Sequence, residues 1–203
     1  GILRAGYTCV NVNPLYTARE LEHQLKDSGA TTIVILENFA HTLQSVIDKT
    51  PITTVVVASM GDLLGAMYGR WITFAVRHLA KMVPAYEIPL TNGRKVVPFT
   101  EVMSKGASLQ LKPSTANLDS TAFLQYTGGT TGLSKGAVLT HRNIVAATLQ
   151  AEAWFTPALA RVGDLAKVNS IAALPLYHIF ALTLCLLAIR QGSHLTLIPN
   201  PRD

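Results

Sequence analysis

The 203-residue chain has little with which to cross-link, charge or stack itself. Cysteine is nearly missing: Cys9 and Cys185 are the only two, far apart and in no motif. Two isolated thiols build neither a disulfide framework nor a zinc site, and they fit a reducing compartment. Charged residues make up 14% against 49% hydrophobic, which excludes a disordered, self-repelling chain. Aromatics are 7% and are not interleaved with basic residues, which argues against a nucleic-acid stacking platform. No Gly-Lys pair occurs, so the G-x-x-x-x-G-K-S/T phosphate loop is excluded, and G-x-G-x-x-G is missing too. The chain opens on Gly1 with no initiator Met and no signal peptide, and it closes on "NPRD". Both ends are therefore expected to be cut through structure, as in a piece of a longer protein.

What is present is packing material with a basic balance. Formal net charge is +5 and the isoelectric point about 9.4, values that suit a phosphate-bearing ligand or an anionic surface. Residues 1–58 alternate β and α. "YTCVNV" (7–12), "TTIVIL" (31–36) and "TTVVVAS" (53–59) predict strands. Thr17 and Glu20 form a capping-box signature for a helix ending at Gly29, and a second helix is expected near 40–49. Continuously apolar strands separated by single helices indicate a parallel sheet covered on both faces.

Residues 61–112 break this rhythm. Ile72, Ala75, Val76, Leu79 and Val83 recur at helical spacing, with Arg70, Arg77 and Lys81 on another face. This basic helix reads as a solvated surface element, with a membrane-surface helix as its alternative. The stretch around Pro84, Pro89, Asn92-Gly93 and Pro98 is expected to be loop. From Asp119 the α/β rhythm resumes. Strands are expected at "TAFLQY" (121–126), "AVLT" (137–140), "VNSIAAL" (168–174) and "HLTLI" (194–198), and a helix from His141 that stops near Pro157. Residues 171–189 carry no formal charge, but Pro175 and Tyr177-His178 favour a strand, a turn and a buried helix closed by Gly192 over a membrane span.

The fold class predicted is α/β, with parts of two α/β lobes, mainly parallel sheets flanked by helices, and an incomplete second lobe. The first lobe is expected over 1–112, with the basic helical insertion near 61–95, and the second over 113–203. "TGGTTGLSKG" (127–136) would sit at their junction. Its glycines allow backbone N–H groups to close on oxygens, its hydroxyls donate, and Lys135 adds charge. A plain flexible hairpin loop is the alternative. The following "AVLT" makes the loop a strand-to-strand connection rather than a loop opening a helix.

"YTGGTTGLSKG" (126–136) resembles the ATP-phosphate loop of the adenylate-forming (AMP-binding) superfamily, written Ser/Thr-Ser/Thr-Gly-Ser/Thr-Ser/Thr-Gly-x-Pro-Lys-Gly. "GAVLTHRN" continues in the same way. "LPLYHIF" (174–180) is similar to the superfamily's aromatic-His step beside the acyl pocket, and residues 6–30 to its upstream βα unit. The distributed likeness, "NPRD" included, is to bacterial long-chain fatty acyl-CoA synthetases.

The resemblance implies an ATP-binding stretch of Tyr126, Thr127, Gly128, Gly129, Thr130, Thr131, Gly132, Leu133, Ser134, Lys135 and Gly136. Thr127 to Gly132 and Lys135 would wrap the β- and γ-phosphates, one threonine would assist Mg²⁺, and CoA would be the co-substrate. His178 is implied as the catalytic residue near the acyl carboxylate, and Tyr177 as a wall of the pocket. A hydrogen-bonded core histidine is the alternative for His178. Two residues depart from the pattern: Gly128 replaces a hydroxyl residue and Ser134 a proline. No metal-binding motif is present; after the loop only Glu152, Asp164 and Asp203 carry carboxylates. The metal-binding Glu, ribose-binding Asp and catalytic Lys of the superfamily lie further downstream, so the 203 residues alone are expected to be inactive. The implied partners are fatty acid, ATP and CoA, with no nucleic acid; a membrane surface and a homodimer stay open. The implied location is cytoplasmic, with peripheral attachment at the inner membrane face as a variant. The rivals are a ligase of the same superfamily for another carboxylic acid and a non-catalytic nucleotide- or membrane-docking module.

Overall fold

A computed structural model of the chain describes residues 1–127, 133–161, 163 and 168–198. They group into two compact units. One holds Pro14–Lys112 with residues 133 and 134; the other holds Gly1–Asn13, Pro113–Thr127 and the described residues from Lys135 onward.

In the first of these, helix α1 (Ala18–Ser28) starts at a reciprocal cap. The Glu20 N–H donates to Thr17 Oγ1 at 3.4 Å, and the Thr17 N–H donates to Glu20 Oε2 at 2.8 Å. Gly29 ends the helix at φ +63°, a left-handed conformation that costs glycine nothing. Strands β2 (Thr32–Leu36), β3 (Thr54–Ala58) and β4 (Lys95–Pro98) form a parallel sheet in that order. Parallel neighbours need crossovers. The first runs through the short helix α2 (Ala40–Gln44), whose flanks tighten into 3₁₀ turns at Glu37–Phe39 and Ile47–Lys49. The helix expected over 40–49 is thus broken, because Ser45 and Thr50 hydroxyls take the carbonyls of Thr42 and Ile47 at 2.7 and 2.8 Å. Leu25, Leu43, Ile47 and Val55 are fully enclosed and make the core.

The second crossover carries helix α3 (Ala66–Phe74), which widens into a π turn over Ala75–Leu79. Residues 84–94, expected to be loop, are held by the buried Arg94. Its guanidinium donates to the carbonyls of Ile47, Ile52 and Pro89, to Thr91 Oγ1 and to Asp48 Oδ1. Thr91 and Arg94 together hold the Asp48 carboxyl below the usual range. Immediately beyond, the stretch around Pro98 that was expected to be loop is strand β4, and helix α4 (Phe99–Ala107) follows it. Pro98 closes β4 at the sheet edge, the one place a strand tolerates proline.

In the other unit β1 (Cys9–Val10) pairs in parallel with β5 (Thr121–Thr127), and β5 pairs antiparallel with β6 (Lys135–Thr140). That β1–β5 pairing is why residues 1–13 group with the later half and not with 14–112. Helix α5 (His141–Leu159) starts at a second reciprocal cap, Thr140 with Asn143. It runs through Pro157, past the expected stop; two residues from the end, the missing N–H removes one bond without ending the helix. Strands β7 (Asn169–Ala172) and β8 (His194–Leu197) pair in parallel around helix α6 (Ile179–Gln191), which ends at Gly192. Among the described residues no helix is long and apolar enough to cross a membrane. All described strand pairings except β5–β6 are parallel, so the α/β class stands.

Candidate functional site: the β5–β6 hairpin and the turn before α6

The hairpin is built from unequal strands. β5 buries Ala122, Phe123, Gln125 and Tyr126, whereas β6 carries glycine, lysine and an exposed Val138. Its last two rungs are Tyr126 opposite Gly136 and Thr127 opposite Lys135. The loop therefore joins strand to strand, as the sequence indicated, and its base presents one hydroxyl and one ammonium. Gly128, Gly129, Thr130, Thr131 and Gly132 lie outside the described residues. Thr127 and Lys135 are exposed, and no acid pairs with Lys135 among the described residues. Gly136 is required sterically: a Cβ there would lie 2.9 Å from Cζ of the Tyr126 ring, which covers that position.

Leu133 is exposed, and the Ser134 carbonyl accepts a 2.8 Å bond from His23 Nε2 of α1. A carbonyl can only accept, so this contact places the His23 proton on Nε2. The sequence gave no sign of it, since the two residues are 111 positions apart.

Tyr177 and His178 close the turn before α6. The His178 N–H donates to the Pro175 carbonyl at 2.9 Å, and the Leu182 N–H to the His178 carbonyl at 3.0 Å. Tyr177 is half-buried and His178 exposed, with no side-chain hydrogen bond at His178 among the described residues. A hydrogen-bonded core histidine does not describe it. One side chain joins this turn to the hairpin: Gln125 Nε2 donates to the Tyr177 carbonyl at 2.9 Å. The one sign of it in the sequence is a glutamine inside the apolar run "TAFLQY".

Carboxylates are missing from the hairpin. Glu152 is engaged by Arg190 at 2.7 Å and Asp119 by Arg142 at 2.9 Å. No group of His, Cys, Asp or Glu among the described residues could hold a metal. Magnesium takes oxygen ligands and usually a carboxylate, so the described residues do not fit it.

The unit built on β2–β3–β4 has its own concavity, a cleft of about 830 Å³ lined by Val57, Phe74, Val96, Arg70, Arg77 and Tyr86 among others. Arg77 donates twice to Glu37 Oε2, at 2.8 and 2.5 Å, and Glu37 is only 1% exposed. The Glu37 carboxylate raises the Arg77 pKa, while burial and then Glu37 push Tyr86 up.

The model of the family described as "AMP-binding enzyme" matches residues 1–203. This chain belongs to the AMP-binding enzyme family. It is 52% identical over its full length to a long-chain-fatty-acid--CoA ligase of Yersinia pestis, and 50% identical to one of Escherichia coli O157:H7. In both cases it spans 35% of the relative's length. Among solved structures, a long-chain-fatty-acid-CoA ligase from Archaeoglobus fulgidus superposes with a TM-score of 0.66 at 25% identity, over 97% of this chain and 30% of that one. The AMP-binding family membership agrees with the resemblance carried by residues 126–136, and the α/β architecture matches that of its structural neighbours.

Proposed function

We propose that this chain is the part of an ATP-dependent long-chain fatty acid:CoA ligase that grips the ATP phosphates and borders the acyl carboxylate. The carrying observation is the hairpin with Thr127 opposite Lys135 at the mouth of the glycine-rich loop, tied through Gln125 to the turn bearing Tyr177 and His178. The 52% identity to a relative of that name supports the reaction class.

In this reading a fatty acid carboxylate oxygen attacks the α-phosphorus of ATP. The bond to pyrophosphate breaks, leaving acyl-AMP and pyrophosphate. The CoA thiol then attacks the acyl carbon, AMP leaves, and the thiol proton is released. Lys135 and the loop donors hold the β- and γ-phosphates and so stabilise the leaving pyrophosphate. His178 orients the acyl carboxylate, and Tyr177 walls the pocket. Magnesium, when bound, would neutralise phosphate charge through ligands outside the described residues. The isolated 203 residues are expected to form no acyl adenylate, because no group of His, Cys, Asp or Glu among the described residues could hold the magnesium.

Fatty-acid-dependent ATP–pyrophosphate exchange by the full-length protein tests this reading, using acids of increasing chain length. Exchange rising towards long chains supports it. Exchange confined to acetate, an aromatic acid or an amino acid would replace the substrate, and no exchange at all would remove the reaction.

A second, compatible reading concerns α3. Met67, Trp71, Phe74 and Leu79 are 89%, 61%, 53% and 66% exposed, while Ile72, Ala75 and Val76 turn inward. The helix is thus apolar on both sides, and the π turn brings Leu79 towards the outer stripe. From Leu63 to Tyr86 there is no acid, and Arg70 and Lys81 pair with no acid among the described residues, whereas Arg77 is held by Glu37. We infer that this face rests on an anionic lipid surface. Co-sedimentation of the full-length protein with phosphatidylglycerol vesicles should drop at least about tenfold for Met67→Glu with Trp71→Glu, given the apolar area removed. Unchanged binding would contradict the inference.

A further inference from the structure

We infer that Gln125 is a positioning residue: its side-chain amide fixes the Tyr177–His178 turn to the strand that enters the phosphate loop. This rests on the ligase reading above and deepens it, by giving the Gln125 amide a role in placing His178.

Gln125 is 5% exposed, between buried Phe123 and Tyr126 on β5. An amide in such a place is costly unless its hydrogen bonds are made, so the site selects for a use of the amide rather than for packing. One use is visible. Nε2 donates to the Tyr177 carbonyl at 2.9 Å, across 52 residues of sequence. Strand alternation puts Gln125 on the same face of β5 as Thr127, two residues on, at the base of the loop.

At the other end, the carbonyl belongs to the residue next to His178. The turn is closed upon itself by the His178 N–H to Pro175 carbonyl bond and continues into α6 through the Leu182 N–H. It therefore moves as one piece with the helix, and the Gln125 bond sets where that piece stands against β5. Gln125 Oε1 is buried without a hydrogen-bond partner among the described residues, so the donor Nε2 alone makes the tether.

Two near-isosteric variants separate tethering from packing. Gln125→Met keeps the volume and deletes the donor. Gln125→Glu keeps the shape but presents an oxygen to the Tyr177 carbonyl, and it donates only when protonated. Burial raises the pKa of such a carboxyl, which brings its protonation into a usable range. In the full-length protein, Gln125→Met should lower kcat for adenylation about tenfold or more, the scale of a small misplacement of a reacting group, while KM for ATP stays within about twofold.

For Gln125→Glu, activity relative to wild type should climb as pH falls from about 8 to about 6, whereas for Gln125→Met the ratio should stay flat. Amide hydrogen exchange at His178 and Leu182 should quicken in Gln125→Met whatever the activity. A wild type without exchange activity would fail the ligase reading, and the amide-exchange arm would still judge the tether. An active wild type with unchanged kcat in Gln125→Met, or a flat pH ratio for Gln125→Glu, would overturn the inference. Should Gln125→Met not fold, the Gln125→Glu pH ratio decides alone.

Discussion

The β2–β3–β4 sheet and the β5–β6 hairpin use strands for opposite ends. In the sheet, Ile33, Val55 and Val96 stand in register across three parallel strands, and Val55 is wholly enclosed. In the hairpin, β5 is buried but its partner β6 spends its positions on Lys135, Gly136 and an exposed Val138. The first region earns its place by burial. The second sacrifices burial so that the last rung can present Thr127 and Lys135. Stability and chemistry should accordingly separate by region under mutation.

The largest break should come from Val55→Asp. It places an unpaired carboxylate at a position with 0% exposure, and a loss above about 4 kcal/mol in chemical denaturation is expected. Next is Arg77→Ala, which leaves the 1%-exposed Glu37 without its cation. Because Arg77 is itself half-exposed, a loss of about 2–3 kcal/mol is expected, at the low end for such pairs. Adding Glu37→Met should recover much of it, and a double variant no better than Arg77→Ala would contradict the pairing. Thr17→Ala removes one arm of the cap on α1 and should cost about 1 kcal/mol. Lys135→Ala should leave the melting temperature unchanged, since the ammonium pairs with no acid among the described residues.

The same division governed what could be read in advance. α1 was legible from Thr17 to Gly29 because its start and stop are written in local hydrogen bonds. β2, β3 and β5 were legible as apolar runs. β4 was not: Lys95-Val96-Val97-Pro98 offers two apolar residues before a proline, and its identity as a strand comes from pairing with β3, some 40 residues away. The outer face of α3 was hidden for another reason. Helical spacing groups Leu79 and Val83 with Ile72, Ala75 and Val76, but Leu79 is 66% exposed, and the π turn that carries it outward has no local code.

At the candidate site, the loop was legible as a motif and as a strand-to-strand connection, because "AVLT" follows it directly. Gln125 and His23 were not legible, since their value depends on carbonyls 52 and 111 residues away. Side-chain to backbone bonds of this kind leave no pattern in the acceptor, whose identity is irrelevant to accepting.

The central claim is that the Thr127–Lys135 rung serves the ATP phosphates. Fatty-acid-dependent ATP–pyrophosphate exchange, measured on the full-length protein with Lys135 and with Lys135→Ala, tests it most directly. The account predicts a fall of about 10²-fold with unchanged thermal stability, the scale of removing one charge-stabilising donor. An exchange rate equal to that of wild type would contradict it.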